Sequence, residues 1–280
     1  MSLAWMIVVL FAAALHASWN AIIKAGSDKF NDTVLVTIGA SIIPGLLLPW
    51  ISFPAAASRP YLVASVIIHF GYFSLVALAY RSGDLSYAYP IMRGVAPMLT
   101  AVAAAFLINE PLTTGGKIGI LLLCSGILTL AGDNWRSGKF SFEPTAIALT
   151  NAIVISIYTL VDGIGLRLAG DPVSYICWLL FLQPVLLLPY SFITQRESFI
   201  ARLKTRWRAC FLGGVCTCAS YGLALYAMAY IPIALVAALR ETSVIFGTVI
   251  AAIFLRERFG PIRYVAAVLV TAGAVAMKAF

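Results

Sequence analysis

Six long stretches of this chain contain no charged residue, and they limit its fold more than any other feature. Each stretch is 18 to 31 residues long, and about 20 apolar residues in a helix cross a bilayer. Backbone groups in lipid must be bonded within the protein, which leaves helices or closed barrels, and these stretches lack the alternation of barrel strands. The sequence therefore predicts membrane-spanning helices. The stretches are Met1–Ile23, Thr33–Ser58, Pro60–Tyr80, Pro144–Val161, Pro172–Gln195 and Ala209–Leu239.

The composition agrees with an integral membrane protein whose surroundings are the lipid bilayer. Hydrophobic residues make up 62% of the chain and charged residues 11%, against roughly 45–50% and about 25% in soluble domains. The net charge of +8 comes from residues at the ends of apolar stretches, without a basic patch interleaved with aromatics. We therefore expect no nucleic-acid partner.

Ten helices are predicted, joined by short connections in which Pro and Gly start or stop a helix. The longest connections are residues 133–143 and 196–207, so no soluble domain fits between the spans. The fold expected is an all-α integral membrane protein. The predicted helices are 3–24, 33–53, 60–81, 85–108, 114–132, 144–166, 173–195, 208–230, 233–255 and 261–279.

A weak internal repeat divides the chain into two halves. Arg93 and Glu110 recur as Arg240 and Glu257 at one ungapped offset of 147 residues, and Gly126 recurs as Gly273. Residues 85–130 and 232–277 share only seven identities in 46 positions, so the rarer residues carry the argument. The repeat predicts two five-helix units, 1–138 and 139–280. Because five is odd, the second unit enters the membrane from the opposite side, as in inverted-repeat transporters.

The distribution of basic residues predicts the orientation. Thirteen Lys and Arg side chains follow the odd-numbered predicted helices, and four lie on the side that holds both termini. The positive-inside rule places the larger group in the cytoplasm. In the inner membrane of a bacterium, both termini would then be periplasmic.

Polar side chains inside the first and third helices are candidates for function because such residues are costly in lipid. His16, Asn20 and Lys24 are four residues apart and share a helical face, beside Trp19. His69 lies on an aromatic face of the third helix. The alternative is structural, with Asn20 bonding a neighbouring helix and His69 packed among aromatic rings.

The fourth and ninth predicted helices carry the most polar intramembrane segments. Pro90 and Pro97 flank Arg93, which predicts a helix that is kinked or partly unwound near its middle. Arg240 and Glu241 occupy the equivalent place in the second half. These charges either form a neutralising ion pair that joins the halves, or at least one of them meets a substrate.

Asp162 in the sixth helix is the best candidate for a protonatable coupling group, with Arg93, Arg240 or Arg167 as its expected partner. Aromatic side chains could surround an amphipathic ligand. Neither a metal site nor a cofactor is expected, since Cys216 and Cys218 have no second cluster of ligands. The substrate-binding candidates are Trp19, Asn20, His69, Tyr89, Arg93, Tyr158, Trp178, Tyr221, Arg240 and Glu241. The coupling candidates are His16, Asp162 and Glu241.

Taken together, these segments resemble the EamA family of the drug/metabolite transporter superfamily over nearly the whole chain. The resemblance implies a monomeric bundle of ten helices around a central cavity, which exports small amphipathic solutes by alternating access. The aromatic amino-acid exporter type is the most similar. The segments that carry the resemblance are Trp19-Asn20…Lys24, Tyr89-Pro90-Ile91…Arg93-Gly94…Ala96-Pro97, Glu110-Pro111 and the repeated Arg240…Glu257.

The predicted function is a secondary transporter that exports small amphipathic metabolites, above all amino acids, including aromatic ones. A channel or a lipid flippase is the alternative, although broken helices in an inverted repeat suit alternating access better. An intramembrane enzyme is disfavoured. Ser41 and His69 could form a nucleophile–base pair, but no oxyanion-hole motif accompanies them.

Overall fold

A computed structural model of the chain is built of α-helices and contains no strand in the part that it describes. That part comprises residues 1–82, 85–136, 142–247, 249 and 261–279. Side chains are described for these residues except 77, 79–82, 85–89, 131, 133–136, 261, 263 and 279.

Eleven helices lie wholly within the described part, besides the helical segment 243–247, and two 3-10 turns, Leu48–Trp50 and Ala56–Ser58, join the second to the third. The helices are α1 Leu3–Lys24, α2 Lys29–Leu47, α3 Arg59–Ser82, α4 Leu85–Leu107, α5 Thr114–Arg136, α6 Phe142–Arg167, α7 Pro172–Leu182, α8 Pro184–Thr194, α9 Arg196–Met228, α10 Ile233–Arg240 and α11 Pro261–Ala279.

Most of these helices are long and apolar enough to span a membrane. Within the described residues, seven segments are long and apolar enough to cross a bilayer, and α7 and α8 together form one of them. Shorter apolar helices cover Thr114–Leu130 and Tyr264–Lys278. The chain is therefore an all-helical, multi-pass membrane protein.

The largest difference from the prediction concerns α9, which begins at Arg196 instead of residue 208. Residues 196–207 were expected to be a connection because they are charged, but tertiary contacts hold them in a helix. Two nitrogens of Arg202 donate to the buried Asp32 carboxylate of α2, at 2.7 and 2.9 Å. Arg206 donates to the carbonyl of Ile22 near the end of α1, at 2.8 Å. The first turns of α9 thus join the ends of α1 and α2.

The predicted second helix, 33–53, is also shifted along the chain. It begins at Lys29, where the Asp28 carboxylate accepts a hydrogen bond from the backbone of Asn31, and it ends at Leu47. Burial alone would raise the pKa of Asp28, but hydrogen bonds from Ser198 and Asn31 hold that pKa below its ordinary value.

Two predicted helices are interrupted. The predicted helix 173–195 is split at Gln183, because Pro184 has no N–H to donate to the preceding turn. The predicted helix 233–255 ends at Arg240. Beyond it, the N–H groups of Glu241 and Thr242 bond three residues back, and the chain is helical again over residues 243–247. Residues 248 and 250–255 of that predicted helix lie outside the described part.

The fourth helix, expected to be kinked or partly unwound near Arg93, is not unwound. The helix α4 is continuous over Leu85–Leu107 although it contains Pro90 and Pro97. The break in the helical backbone occurs instead at its repeat equivalent, after α10. There the Glu241 side chain faces Arg93, so the position of the break depends on a partner that the local sequence does not contain.

Helices of the two predicted halves pack against each other and not only among themselves. The pairs α1–α9 and α3–α6 are in contact, as are α4–α6 and α1–α10. Equivalent helices also meet directly in the pairs α4–α10 and α5–α11. Polar side chains on α1, α3, α4, α6, α9 and α10 therefore come together inside one bundle.

Candidate functional site

The centre of the bundle holds a buried ion pair between α4 and the break after α10. Arg93 Nε lies 2.6 Å from Glu241 Oε2, and the two side chains are only 3% and 5% exposed. Arg93 Nη2 also donates to the Ser243 hydroxyl at 3.3 Å. A buried pair is disrupted at high cost when one partner is lost, so these contacts hold the two halves together at the middle of the membrane.

His16 of α1 adds a third element to this ion pair. Its Nε2 lies 3.1 Å from Arg93 Nη2, and its Nδ1 lies 3.3 Å from the indole nitrogen of Trp19. Both neighbours are donors, whereas a neutral imidazole accepts at only one ring nitrogen. His16 can therefore satisfy Trp19 or Arg93, but not both. The Asn20 amide bonds back to the carbonyl of His16 at 2.8 Å.

Arg240 lies next to the ion pair but is held differently. Its guanidinium carbon lies 5.1 Å from the centre of the Tyr221 ring, in a cation–π contact. Its Nε is buried without a hydrogen-bond partner. The residue is 6% exposed, so its buried charge is placed against an aromatic face, and Glu241 interacts with it electrostatically.

Asp162 forms a second polar group with tyrosines instead of arginines. Its carboxylate is fully buried and accepts hydrogen bonds from the hydroxyls of Tyr175 and Tyr221. The expected pairing with an arginine is wrong, because the tyrosine hydroxyls and not a guanidinium satisfy its oxygens. The helix α3 completes the group, since Ser65 lies beside both the carboxylate and the His69 ring.

Arg167 pairs with Glu110 at 2.8 Å, and not with Asp162 as the sequence suggested. The Glu110 carboxylate also accepts the backbone N–H of Ile233, the first residue of α10. Arg167 also donates to the carbonyl of Met228. These bonds fix the turn that precedes α10 to the ends of α4 and α6.

Two cavities lie on either side of the Arg93 side chain. We call the first the Arg240 cavity and the second the Trp19 cavity; both are narrow, with volumes of about 10 and 20 Å³. The Arg240 cavity is lined by Arg93, Ala96, Pro97, Thr100, Ile155, Tyr158, Thr159, Ala237, Arg240 and Glu241. The Trp19 cavity is lined by Trp19, Asn20, Ile23, Thr33, Tyr72, Phe73, Val76, Met92, Arg93, Asn151 and Ile155.

The cavities lie toward opposite ends of the bundle. The Trp19 cavity contains residues from the end of α1 and the start of α2, which meet at one end. The Arg240 cavity contains Ala237 from α10 and Thr100 from α4, which lie toward the other end. Arg93 and Ile155 line both cavities. The Arg93–Glu241 ion pair therefore occupies the boundary between two spaces.

Most of the predicted binding residues meet in this region, and the structure adds others. Trp19, Asn20, Arg93, Tyr158, Arg240 and Glu241 line a cavity, and Tyr221 and His69 lie directly behind the lining. Trp178 packs against Phe53 and Phe181 and lines neither cavity. The side chain of Tyr89 lies outside the described part.

Asn151 is a buried polar residue that the sequence reasoning missed. It lies on α6, and its amide nitrogen is 3.0 Å from the sulfur of Met92. A signal was present, because Asn151, Ile155, Tyr158 and Asp162 recur every three or four residues and so share one helical face. Thr100 was missed in the same way, one further turn beyond Pro97 on α4.

No cluster of three or more His, Cys, Asp or Glu side chains suited to a metal ion is found within the described residues. The polar side chains of the site are instead hydroxyls, amides and isolated charges. Such groups bind organic solutes through hydrogen bonds and charge.

Comparisons with known proteins agree with this architecture. Residues 145–278 match the family model of the EamA-like transporter family. A solved crystal structure, described in no more detail than as that of a protein, superposes with a TM-score of 0.73 and covers 98% of this chain and 94% of its own. At 17% identity it shows the fold alone. No curated protein matches the chain.

Proposed function

We propose that the chain is a secondary transporter of the EamA-like family, whose model matches residues 145–278, and that it exports small amphipathic metabolites. Amino acids, including aromatic ones, are the substrates proposed. Transport proceeds by alternating access, in which the central site is open to one side of the membrane at a time.

The observation that carries this proposal is the position of the Arg93–Glu241 ion pair. It lies between the Arg240 cavity and the Trp19 cavity, and Arg93 lines both. A solute that crosses from one cavity to the other has to separate the two charges or move them aside. A boundary of this kind favours a carrier over an open pore, and its charged groups can be replaced by those of a zwitterion.

The repeat supports an arrangement of ten spans in two inverted five-helix units, residues 1–138 and 139–280. A Cβ on Gly273 would lie 2.6 Å from the carbonyl oxygen of Gly119, and a Cβ on Gly126 would lie 2.9 Å from that of Ala266. These two contacts are equivalent in the repeat, because the 147-residue offset relates Gly126 to Gly273 and Gly119 to Ala266. A two-fold axis between α5 and α11 would produce this exchange.

The lining of the cavities suits an amino acid. Either Arg93 or Arg240 would meet the carboxylate. Glu241 lines a cavity and would meet the ammonium group, whereas Asp162, the other carboxylate predicted for that role, lines neither cavity. Trp19, with Tyr72 and Phe73 beside it in the Trp19 cavity, offers aromatic surface for an apolar side chain. His16, Asp162 and Glu241 remain the candidates for coupling transport to a proton.

The proposed location is the inner membrane of a bacterium, with both termini in the periplasm and a monomer as the working unit. The basic residues support this orientation, since 13 of them follow odd-numbered predicted helices and four lie on the opposite side. The first turns of α9 would then lie at the cytoplasmic surface, with exposed Trp207 and Arg208 at the lipid headgroups.

Uptake by purified protein in liposomes tests the proposal. A panel of radiolabelled amino acids is supplied with and without a pH gradient, and protein-free liposomes serve as the control. We expect saturable uptake of at least one aromatic amino acid. Folded protein that transports none of the panel would refute the assignment of amino acids as substrates.

A further inference from the structure

We propose that Arg240, and not Arg93, binds the carboxylate of the substrate, so that the Arg240 cavity selects organic anions and zwitterions by that group. The inference rests on the proposed transport function and names the part of the substrate that the site recognises. Its basis is the difference between two buried arginines that line the same cavity.

The guanidinium of Arg93 is already engaged by neighbouring side chains. It forms an ion pair with Glu241 at 2.6 Å and lies within hydrogen-bonding distance of His16 at 3.1 Å and Ser243 at 3.3 Å, which come from α1 and from the segment after α10. A carboxylate that bound Arg93 would have to displace Glu241. That exchange would leave the Glu241 carboxylate buried without its cation, which is unfavourable in a low-dielectric interior.

Arg240 presents the opposite situation. Within the described residues its guanidinium makes no hydrogen bond or ion pair; it lies on the face of the Tyr221 ring, and Glu241 acts on it only electrostatically from a longer distance. The residue is 94% buried, being 6% exposed, and it lines the Arg240 cavity. Guanidinium groups are planar forks that match a carboxylate with two parallel hydrogen bonds.

The charges around the cavity lead to the same conclusion. Its described lining contains two cations, Arg93 and Arg240, and one anion, Glu241, which is paired with Arg93. Asp162 does not line the cavity, because its oxygens face the hydroxyls of Tyr175 and Tyr221. One positive charge therefore remains without an anion, and a single carboxylate would neutralise it.

The rest of the lining is suited to the remainder of such a ligand. The hydroxyls of Thr100 and Thr159 already donate to carbonyls of their own helices and can still accept hydrogen bonds. An ammonium group is a donor, so it would be accommodated there or at Glu241. Ala96, Ile155 and the Tyr158 ring provide apolar surface. The carboxylate is therefore the group that the site requires, and the amine is secondary.

A matched series of four ligands tests this inference by calorimetric binding to the purified, full-length protein in detergent. L-Phenylalanine and 3-phenylpropionate carry the carboxylate, whereas L-phenylalaninamide and 2-phenylethylamine do not. We expect the two carboxylates to bind and the other two to bind at least tenfold more weakly. Arg240→Gln should weaken carboxylate binding roughly ten- to a hundredfold, since a hydrogen bond to a charged group is lost.

Two further variants separate the role of Arg240 from general effects. Arg240→Lys keeps the charge but loses the fork, so its binding should be intermediate. Arg59→Gln is the matched control, because Arg59 also lies over an aromatic ring, that of Phe53 at 4.9 Å, but lines neither cavity. Its affinities should equal those of the wild type. Melting temperatures establish that each variant is folded.

The outcomes distinguish this inference from the proposed function. Equal binding of phenylalanine and its amide by the wild type would overturn the inference even if transport is observed, and it requires no variant. Wild-type affinity in folded Arg240→Gln would also overturn it. Binding of 3-phenylpropionate without transport of any amino acid would uphold the carboxylate site and refute the amino-acid function.

Discussion

Two arginines at equivalent positions of the chain, Arg93 and Arg240, reach the same cavity with different surroundings. Arg93 is held by Glu241, His16 and Ser243, whereas Arg240 lies on the ring of Tyr221. At the scale of single residues, the site therefore combines one fixed charge with one that a ligand can engage. The two halves of the chain thus carry an arginine at the same position of the repeat, but the two arginines have different contacts and different proposed roles.

The ion pair should be more sensitive to removal of one partner than to removal of both. Glu241→Gln leaves Arg93 buried without its anion, which costs about 3–5 kcal/mol for a buried pair. The double variant Arg93→Met with Glu241→Met removes both charges and should recover much of the melting temperature, but not transport. Thermal unfolding in detergent measures both proteins. A double variant that is no more stable than the single one would contradict the pairing.

Two tryptophans form a matched test of which aromatic residues reach the substrate. Trp19 lines its cavity and contacts His16, whereas Trp178 packs against Phe53 and Phe181. We expect Trp19→Phe to weaken binding of an aromatic amino acid several-fold and Trp178→Phe to leave it unchanged. Calorimetric titration compares them, and equal losses in both variants would argue against this placement.

The polar residues of the site could be predicted from the sequence because charged and polar side chains are costly, and therefore rare, inside membrane-spanning segments. His16, Arg93, Asp162, Arg240 and Glu241 are all buried inside the bundle, as their presence in apolar stretches suggested. Their partners were not predictable. Asp162 bonds tyrosines of α7 and α9 that are far apart in sequence, and one sequence without a structure does not show which helices become neighbours.

At the scale of whole helices, the bundle contains close helix crossings that the lengths and hydropathies of the helices do not predict. The helices α2 and α9 approach so closely that a Cβ on Gly214 would lie 2.5 Å from the backbone nitrogen of Ala40 and 2.6 Å from Gly39 Cα. The same pair of helices is joined at one end by the ion pair of Asp32 with Arg202. This contact links the first half of the chain to the second.

Gly214→Ala should therefore destabilise the protein, because the added methyl group meets backbone atoms that cannot move independently of a helix. Gly71→Ala in α3 is the control, since a Cβ there meets nothing within 4 Å. Alanine is favoured over glycine in a helix by roughly 1 kcal/mol, so the control should be unchanged or slightly more stable. Melting temperatures decide, and a harmless Gly214→Ala would contradict the close crossing.

Helix boundaries were predictable where they depend on local sequence and not where they depend on distant contacts. The bounds of α1, α3, α4 and α11 agree with the prediction within a residue at each end, since charged residues or Pro and Gly mark them. The long α9 was missed because Arg202 and Arg206 are stabilised by α2 and α1. The interruption after α10 was missed because Glu241 there pairs with Arg93 of α4, a partner that is distant in the sequence.

At the scale of the whole molecule, the account requires the two halves to lie in the membrane with opposite orientations. The two equivalent contacts between α5 and α11, which the 147-residue offset relates to each other, support this arrangement. Opposite orientations of the halves would place both termini on the side opposite the basic connections. The overall class followed from composition alone, whereas the packing of one half on the other required the three-dimensional structure.

Reporter fusions at the C-terminus test the orientation in bacterial cells. Alkaline phosphatase is active only in the periplasm, and green fluorescent protein exported in the unfolded state does not fluoresce there. We expect active phosphatase and dark green fluorescent protein after Phe280, with the reverse after residue 138. The opposite pattern at both sites would invert the topology, and equal signals at the two sites would exclude an odd number of spans between them.

We propose that one site between the two cavities is exposed alternately to the two sides of the membrane. Trans-stimulation of transport distinguishes such a carrier from a pore. Liposomes containing the purified protein are loaded with unlabelled phenylalanine, and the entry of labelled phenylalanine is compared with that into empty liposomes. Alternating access predicts faster entry into loaded liposomes, because the carrier returns with a substrate bound. Entry that is rapid and independent of the internal phenylalanine would indicate a pore and contradict the account.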